Sequence, residues 1–362
     1  MANMRSSACF SAVLLAGAVA ASGAAEAASI DSISVFTTAP AGATKPDSIS
    51  VGDGSVFVSY AGGTDSQSGA GTSTIAQYSL SGALQASYAL SGSVDGLKLD
   101  PVTGIVFALQ NQDGNSTLSL INPATKTISG PLSYAAPPFV YGASSGRGYD
   151  DVAFRNGQVF LSYTNPSSAS DPIVQLLNQG NTPSGTLTTT DVVLAGQTGT
   201  AMPDIDSLKT KPNGDLTVTD GAGGRFSTIT APDTSGQSVT TTQITLDGTA
   251  VTSLDDVLYP SATSGTLFVA DQNNNRVLAL QVSGLDPSTP FASLDAANVL
   301  ATVDASGVAT PFLTDAGSSL GALAAPHGLD FLPAAAAVPE PASFALLATG
   351  LLGLVGYRRG RR

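Results

Sequence analysis

Six short segments of this 362-residue chain each open on a polar side chain. They read Asp47-Ser-Ile-Ser-Val, Asp95-Gly-Leu-Lys-Leu, Asp150-Asp-Val-Ala-Phe, Asp206-Ser-Leu-Lys-Thr, Asp255-Asp-Val-Leu-Tyr and His327-Gly-Leu-Asp-Phe. If these anchors occupy equivalent places in a repeated unit, they converge. Carboxylates brought together in that way are hard oxygen ligands of the kind Ca²⁺ or Mg²⁺ takes. Asp95, Asp150, Asp206, Asp255 and His327, with Asp47, are therefore candidate metal ligands at one shared mouth. Asp151, Asp204 and Asp256 beside them add negative charge. A bland alternative stands next to this one: each Asp accepts backbone N–H bonds and shapes the turn into its strand. His327 likewise reads as a general base, a ligand or a structural residue at a strand entry.

Other chemistry is poorly supplied. The lone Cys9 lies near the N-terminus, and the only Glu residues are Glu26 and Glu340. One His, no further Cys and no Glu between these two leave few groups suited to acid–base work near neutral pH. No catalytic residue is assigned. Gly142-Ala-Ser144-Ser-Gly146 matches a nucleophile-elbow pattern, but it sits in a Gly/Ser-rich stretch without the strand–turn–helix context that motif needs.

The elements that must carry the anchors are strands. After each anchor, apolar residues at +2 and usually +4 alternate with polar ones, the pattern of a strand with two unlike faces. In the first five copies a glycine turn follows, at Gly54, Gly104, Gly157, Gly214 and Gly265. A more apolar strand comes next in each: 55–60, 105–110, 158–163, 215–219 and 266–270. Anchor spacings of 48, 55, 56, 49 and 72 residues fit one four-stranded antiparallel blade of a β-propeller per repeat. The expected fold is all-β, a propeller of six four-stranded blades, with five blades or a two-domain β-sandwich as alternatives. The sixth anchor lacks following strands. Residues 32–38 would complete that blade by closing the ring, and their likeness to residues 309–315 supports an outer-strand role.

The stretch Leu267 to Leu280 resembles the strand–turn–strand core of NHL-type propeller repeats. Val269-Ala270-Asp271 and Asn274-Asn275-Arg276-Val277 carry the likeness; around Asp220 and Arg225 only the Asp and Arg persist. This resemblance supports a fold rather than an activity. Propeller-fold gluconolactonases resemble the chain in fold class only, because their metal ligands characteristically include Glu.

The two ends read as addresses. Residues 1–27 have the form of a secretory signal peptide: Arg5, an apolar run from Phe10 to Ala21, and small residues Ala25 and Ala27 flanking Glu26 at a cleavage site. Residues 28–333 form the propeller domain. Residues 334–362 hold Pro339-Glu340-Pro341, an apolar stretch from Ala342 to Tyr357, and Arg358, Arg359, Arg361 and Arg362. This ending resembles the PEP-CTERM sorting signal of Gram-negative bacteria. The resemblance implies a transmembrane sorting helix, transient inner-membrane anchoring, and processing by an exosortase near Pro-Glu-Pro. It also implies export to the cell surface or extracellular matrix.

Between residues 28 and 338, nine Lys and Arg stand against 25 Asp, a net charge of −16. Such a surface repels nucleic acid. The expected function is an exported, surface- or matrix-associated, non-enzymatic propeller that binds exopolysaccharide or surface proteins. The alternative is a divalent-metal-dependent, lactonase-like hydrolase acting at the channel mouth.

Overall fold

A computed structural model describes residues 27–135, 148–314 and 320–335. The strands assemble into six sheets arranged as the blades of a propeller, antiparallel but for one short parallel pair at the edge of blade 5. Blade 1 runs outward from the channel through Pro46–Gly52, Ser55–Tyr60, Thr72–Ser79 and Leu84–Ser91. Blade 2 repeats this with Val94–Leu99, Val106–Gln110, Thr117–Asn122 and Thr127–Ser133. Blade 3 uses Tyr149–Arg155, Gln158–Tyr163, Pro172–Leu177 and Thr189–Leu194. Blade 4 uses Ile205–Thr210, Leu216–Asp220, Arg225–Thr230 and Ser238–Gln243.

Blades 5 and 6 are interlaced, and here the sequence reading needs correction. The strand after Asp255, Val257–Leu258, does not pair with the next strand in the chain. It pairs with Phe291–Leu294, and Val299–Val303 and Val308–Leu313 continue blade 5 outward. The hairpin Gly265–Asp271 and Arg276–Ser283 crosses to blade 6, where its first strand pairs with Pro326–Pro333, the strand that His327 opens. The NHL-like hairpin therefore belongs to the sixth anchor, and its insertion accounts for the 72-residue spacing. Ser29–Thr38 pairs with Arg276–Ser283 as the outer strand of blade 6, so the expected ring closure is present. Blade 5 also carries two small extra strands, Thr245–Leu246 and Thr249–Ala250, on its outer edge. The sandwich and five-blade alternatives are excluded.

The core is divided among the blade interfaces. Each of six hydrophobic clusters lies between neighbouring blades, for example Ile49, Val58 and Tyr60 of blade 1 against Phe268, Ala270 and Val277 of blade 6. The same occurs between blades 3 and 4, where Phe160 and Val174 meet Leu208 and Val218. A strand apolar on both faces packs against a blade on either side, which explains why 55–60 and 158–163 carry almost continuous apolar runs. The Asp–Arg pairs of the sequence reading are turn staples. Arg276 Nε donates to Asp271 Oδ2 at 2.6 Å, and Arg225 Nε lies 3.3 Å from Asp220 Oδ2.

Candidate metal centre

A register shift disturbs the innermost strand pair beside five of the six anchors. The irregularities fall between Pro46 and Ile49, Val94 and Leu97, Tyr149 and Val152, and Ile205 and Leu208. In blade 6 the shift lies opposite His327 and Gly328. In blade 5 the anchor lies two residues before its short strand, with Asp256 between them. A β-bulge inserts an extra residue, bends its strand and re-aims a side chain. That is the physical content of the repeated pattern: the anchor turns into the channel while +2 stays in the core.

Two further features hold the bulge, and the sequence reading missed both. Serines on the second strand accept the N–H of the residue after the anchor. Ser59 Oγ takes Ser48 N at 3.0 Å, Ser162 Oγ takes Asp151 N at 2.7 Å, and Ser293 Oγ takes Asp256 N at 2.8 Å. The signal was a Ser late in the second strand, as in SVFVSY and QVFLSY. At Gly96 and Gly328 the neighbouring blade approaches closely. A Cβ on Gly96 would stand 2.2 Å from Asp150 O, and one on Gly328 2.4 Å from Asp47 O.

All six anchors line one pocket of about 460 Å³ at the mouth of the channel. They fall into two sets. Asp47, Asp255 and His327, from blades 1, 5 and 6, form one; Asp95, Asp150 and Asp206, from blades 2, 3 and 4, form the other. In each, the potential ligand atoms lie within 4.8 Å of one another.

The sets differ in charge. His327 Nδ1 lies 2.7 Å from Asp255 Oδ1 and 3.1 Å from Asp47 Oδ1. Burial alone would lower the His327 pKa, but the facing carboxylates, Asp255 foremost, raise it to about 12. The imidazolium is thus an internal counter-ion, which ill suits a general base near neutral pH. Burial raises Asp255 to about 6 despite His327.

The second set has no cationic side chain in salt-bridge contact among the described residues. Burial pushes the carboxyls of Asp95, Asp150 and Asp206 well above the usual range, and neighbouring carboxylates push them further. Gln112 Nε2 donates to Asp95 Oδ2 at 3.1 Å, while Gln112 Oε1 is buried without a hydrogen-bond partner. No backbone N–H among the described residues bonds the carboxylate of any anchor. Turn-shaping falls instead to the residue one step on. Asp151 accepts from Val152 N and Leu208 N, and Asp256 from Leu329 N.

The C-terminal end of the chain matches a known family model, over residues 337–362. That segment is a PEP-CTERM protein-sorting motif. It contains Pro339, Glu340, Pro341, Arg358 and Arg359, which lie outside the described residues, as do Ala25 and the 142–146 segment. The motif implies export, surface localisation and processing by an exosortase. Ala27 is described and exposed. No curated protein matches the chain.

Solved propellers are similar in shape. A protein of unknown function from Bacteroides caccae is 11% identical, with 81% of this chain and 88% of that one covered and a TM-score of 0.49. The periplasmic gluconolactonase of Pseudomonas aeruginosa is 12% identical over 81% and 89% of the two chains, with a TM-score of 0.48. A streptogramin B lyase is 12% identical over 83% and 98%, with a TM-score of 0.46. Identities this low say nothing about activity.

Proposed function

We propose that this exported propeller is a non-enzymatic, surface- or matrix-displayed binding protein. It holds a divalent cation, Ca²⁺ or Mg²⁺, at its channel mouth and presents that cation to an oxygen-rich glycan or surface protein. One observation carries the reading: carboxylate oxygens of Asp95, Asp150 and Asp206 lie within 4.8 Å of one another, with no cationic side chain in salt-bridge contact among the described residues. Like charges so close and so buried need protons or a cation to neutralise them. Asp150 is only 6% exposed, yet faces the pocket. Ca²⁺ takes six to eight oxygens, so three carboxylates leave positions for hydroxyl or carboxylate groups of a ligand. His327, already committed to Asp47 and Asp255, serves as counter-ion rather than ligand in this reading.

The test is metal content and thermal melting of the exported protein, with Ca²⁺, Mg²⁺ or a chelator. Stoichiometric metal and a rise in melting temperature support it, since a ligand of the folded state alone stabilises that state. No metal and no shift would end it. A pull-down on the host's own exopolysaccharide at several Ca²⁺ levels then tests the partner. Metal-dependent turnover on a lactone and ester panel would replace this reading with the hydrolase one.

A further inference from the structure

The two ends of the propeller leave from the same end of one blade. In blade 6, the strand Pro326–Pro333 starts at the mouth with His327 and runs down the channel to Pro333. Pro333 pairs with Gly265, Gly265 with Val282, and Val282 with Ile30, next to the Ser29–Ser283 pair. Ser29 and Pro333 therefore lie at the same end of the same sheet, opposite the acidic mouth. Three strand spacings separate them, about 14 Å.

We infer that, while the C-terminal apolar segment is in the bilayer, the propeller stands with its lower rim towards the membrane and its acidic mouth directed away. This rests on reading Ala342 to Tyr357 as a membrane anchor before processing. The connection from Pro333 to that segment is Ala334 to Pro341. Fully extended, those eight residues reach at most about 30 Å. Turning the mouth to the bilayer would require the connection to leave the inner strand and cross the width of blade 6. It would then have to climb the height from Pro333 to His327. That path is about 14 Å across and about 20 Å up, longer than the tether before any bulk of side chains is counted. The N-terminal connection adds to the constraint, since residues 1–27 join the outer strand at the same end of the sheet.

Orientation also separates two populations of charge. The anchor carboxylates face away from an anionic bilayer, which would otherwise repel them. The mouth stays open to soluble or matrix ligands before and after the C-terminal segment is removed.

The test uses the full, unprocessed chain in a Cys9→Ser background, reconstituted into vesicles whose lipid headgroups carry a fluorescence quencher. One variant carries Val102→Cys, on the lower turn of blade 2, where Val102 is 72% exposed. The other carries Ser68→Cys, on an exposed upper loop of blade 1. With a fluorophore on each, quenching several-fold stronger at position 102 than at 68 is expected. Equal quenching, or stronger quenching at 68, overturns the orientation while leaving the anchor reading intact. A chain that does not float with the vesicles overturns the anchor reading, and the orientation with it.

Discussion

The channel holds two tiers of acidic residues, one residue apart on some of the same strands, that behave in opposite ways. In the lower tier every carboxylate is satisfied by its neighbour. Asp256 accepts Lys209 Nζ at 2.8 Å, Ser207 Oγ at 2.5 Å and Leu329 N at 2.8 Å, and its pKa stays below the usual carboxylate value despite burial. Asp330 Oδ2 takes Val51 N at 2.7 Å, and Asp151 Oδ2 takes Leu208 N at 3.0 Å. Each of these bonds runs from one blade to the next, so the lower tier ties the ring together. In the upper tier Asp95, Asp150 and Asp206 face one another and are held above the usual range. The same residue type is glue where donors surround it and, in the function we propose, a cation site where they are missing. What separates the two is the supply of partners.

Breaking the lower tier should have the largest effect. Asp256→Ala removes the acceptor of three donors and leaves Lys209 without its closest counter-charge, an expected loss of about 3–5 kcal/mol in urea unfolding. A change below the error of that measurement would mean that the tier does not hold the ring. Next comes Gly96→Ala, which drives a methyl into the Asp150 backbone between blades 2 and 3 and should cost about 1–3 kcal/mol. Thermal melting beside Gly54→Ala, where a Cβ meets nothing within 4 Å, separates crowding from the strain that Gly54's positive φ of 71° brings.

The upper tier should respond with the opposite sign. Asp150→Asn in the presence of a chelator removes one repelling charge and should stabilise the fold by about 1 kcal/mol. The same change should weaken Ca²⁺ binding by about tenfold or more in calorimetric titration. Loss of stability under chelator together with unchanged Ca²⁺ affinity would place Asp150 with the structural carboxylates.

The smallest effect is a dependence on pH. A carboxyl whose folded pKa lies above its unfolded value holds a proton that the unfolded chain has released, so stability falls as pH rises past the unfolded value. His327, raised from 6.5 to about 12, acts in the same direction: its contribution is complete below 6.5 and is lost as pH climbs towards 12. Chelated protein should therefore melt higher at pH 5.5 than at pH 8. Saturating Ca²⁺, which holds the carboxylates deprotonated, should shrink or reverse that difference. An identical pH trend in both conditions would count against a cation among these carboxylates.

Much of this arrangement was legible locally. The two-residue alternation after each anchor marked a strand, and a glycine turn followed by a second apolar run marked its partner. That pairing is correct in blades 1 to 4, where consecutive strands in sequence are also neighbours in the sheet. In blades 5 and 6 the same local signals misassign the pairing, since Val257–Leu258 and Gly265–Asp271 each look like the other's neighbour. Nothing in either strand encodes the later arrival of Phe291–Leu294 and Pro326–Pro333. The bulges were visible only as an unexplained regularity, a small or acidic residue between anchor and core.

By itself, then, the sequence determined the strand period, the set of six anchors, the outer-strand role of residues 32–38 and the sorting motif at the C-terminal end. The period, the anchors and the motif rest on patterns close in the chain or on the composition of a terminal segment, and the outer-strand role on the likeness of residues 32–38 to 309–315. Tertiary structure alone decided which hairpin serves which blade and which carboxylates find donors. Both depend on residues brought together from distant segments, as when Asp256 meets Leu329 N and Asp330 meets Val51 N across blade boundaries. A buried carboxylate is paired glue or an unmet charge according to neighbours that only the closed ring supplies.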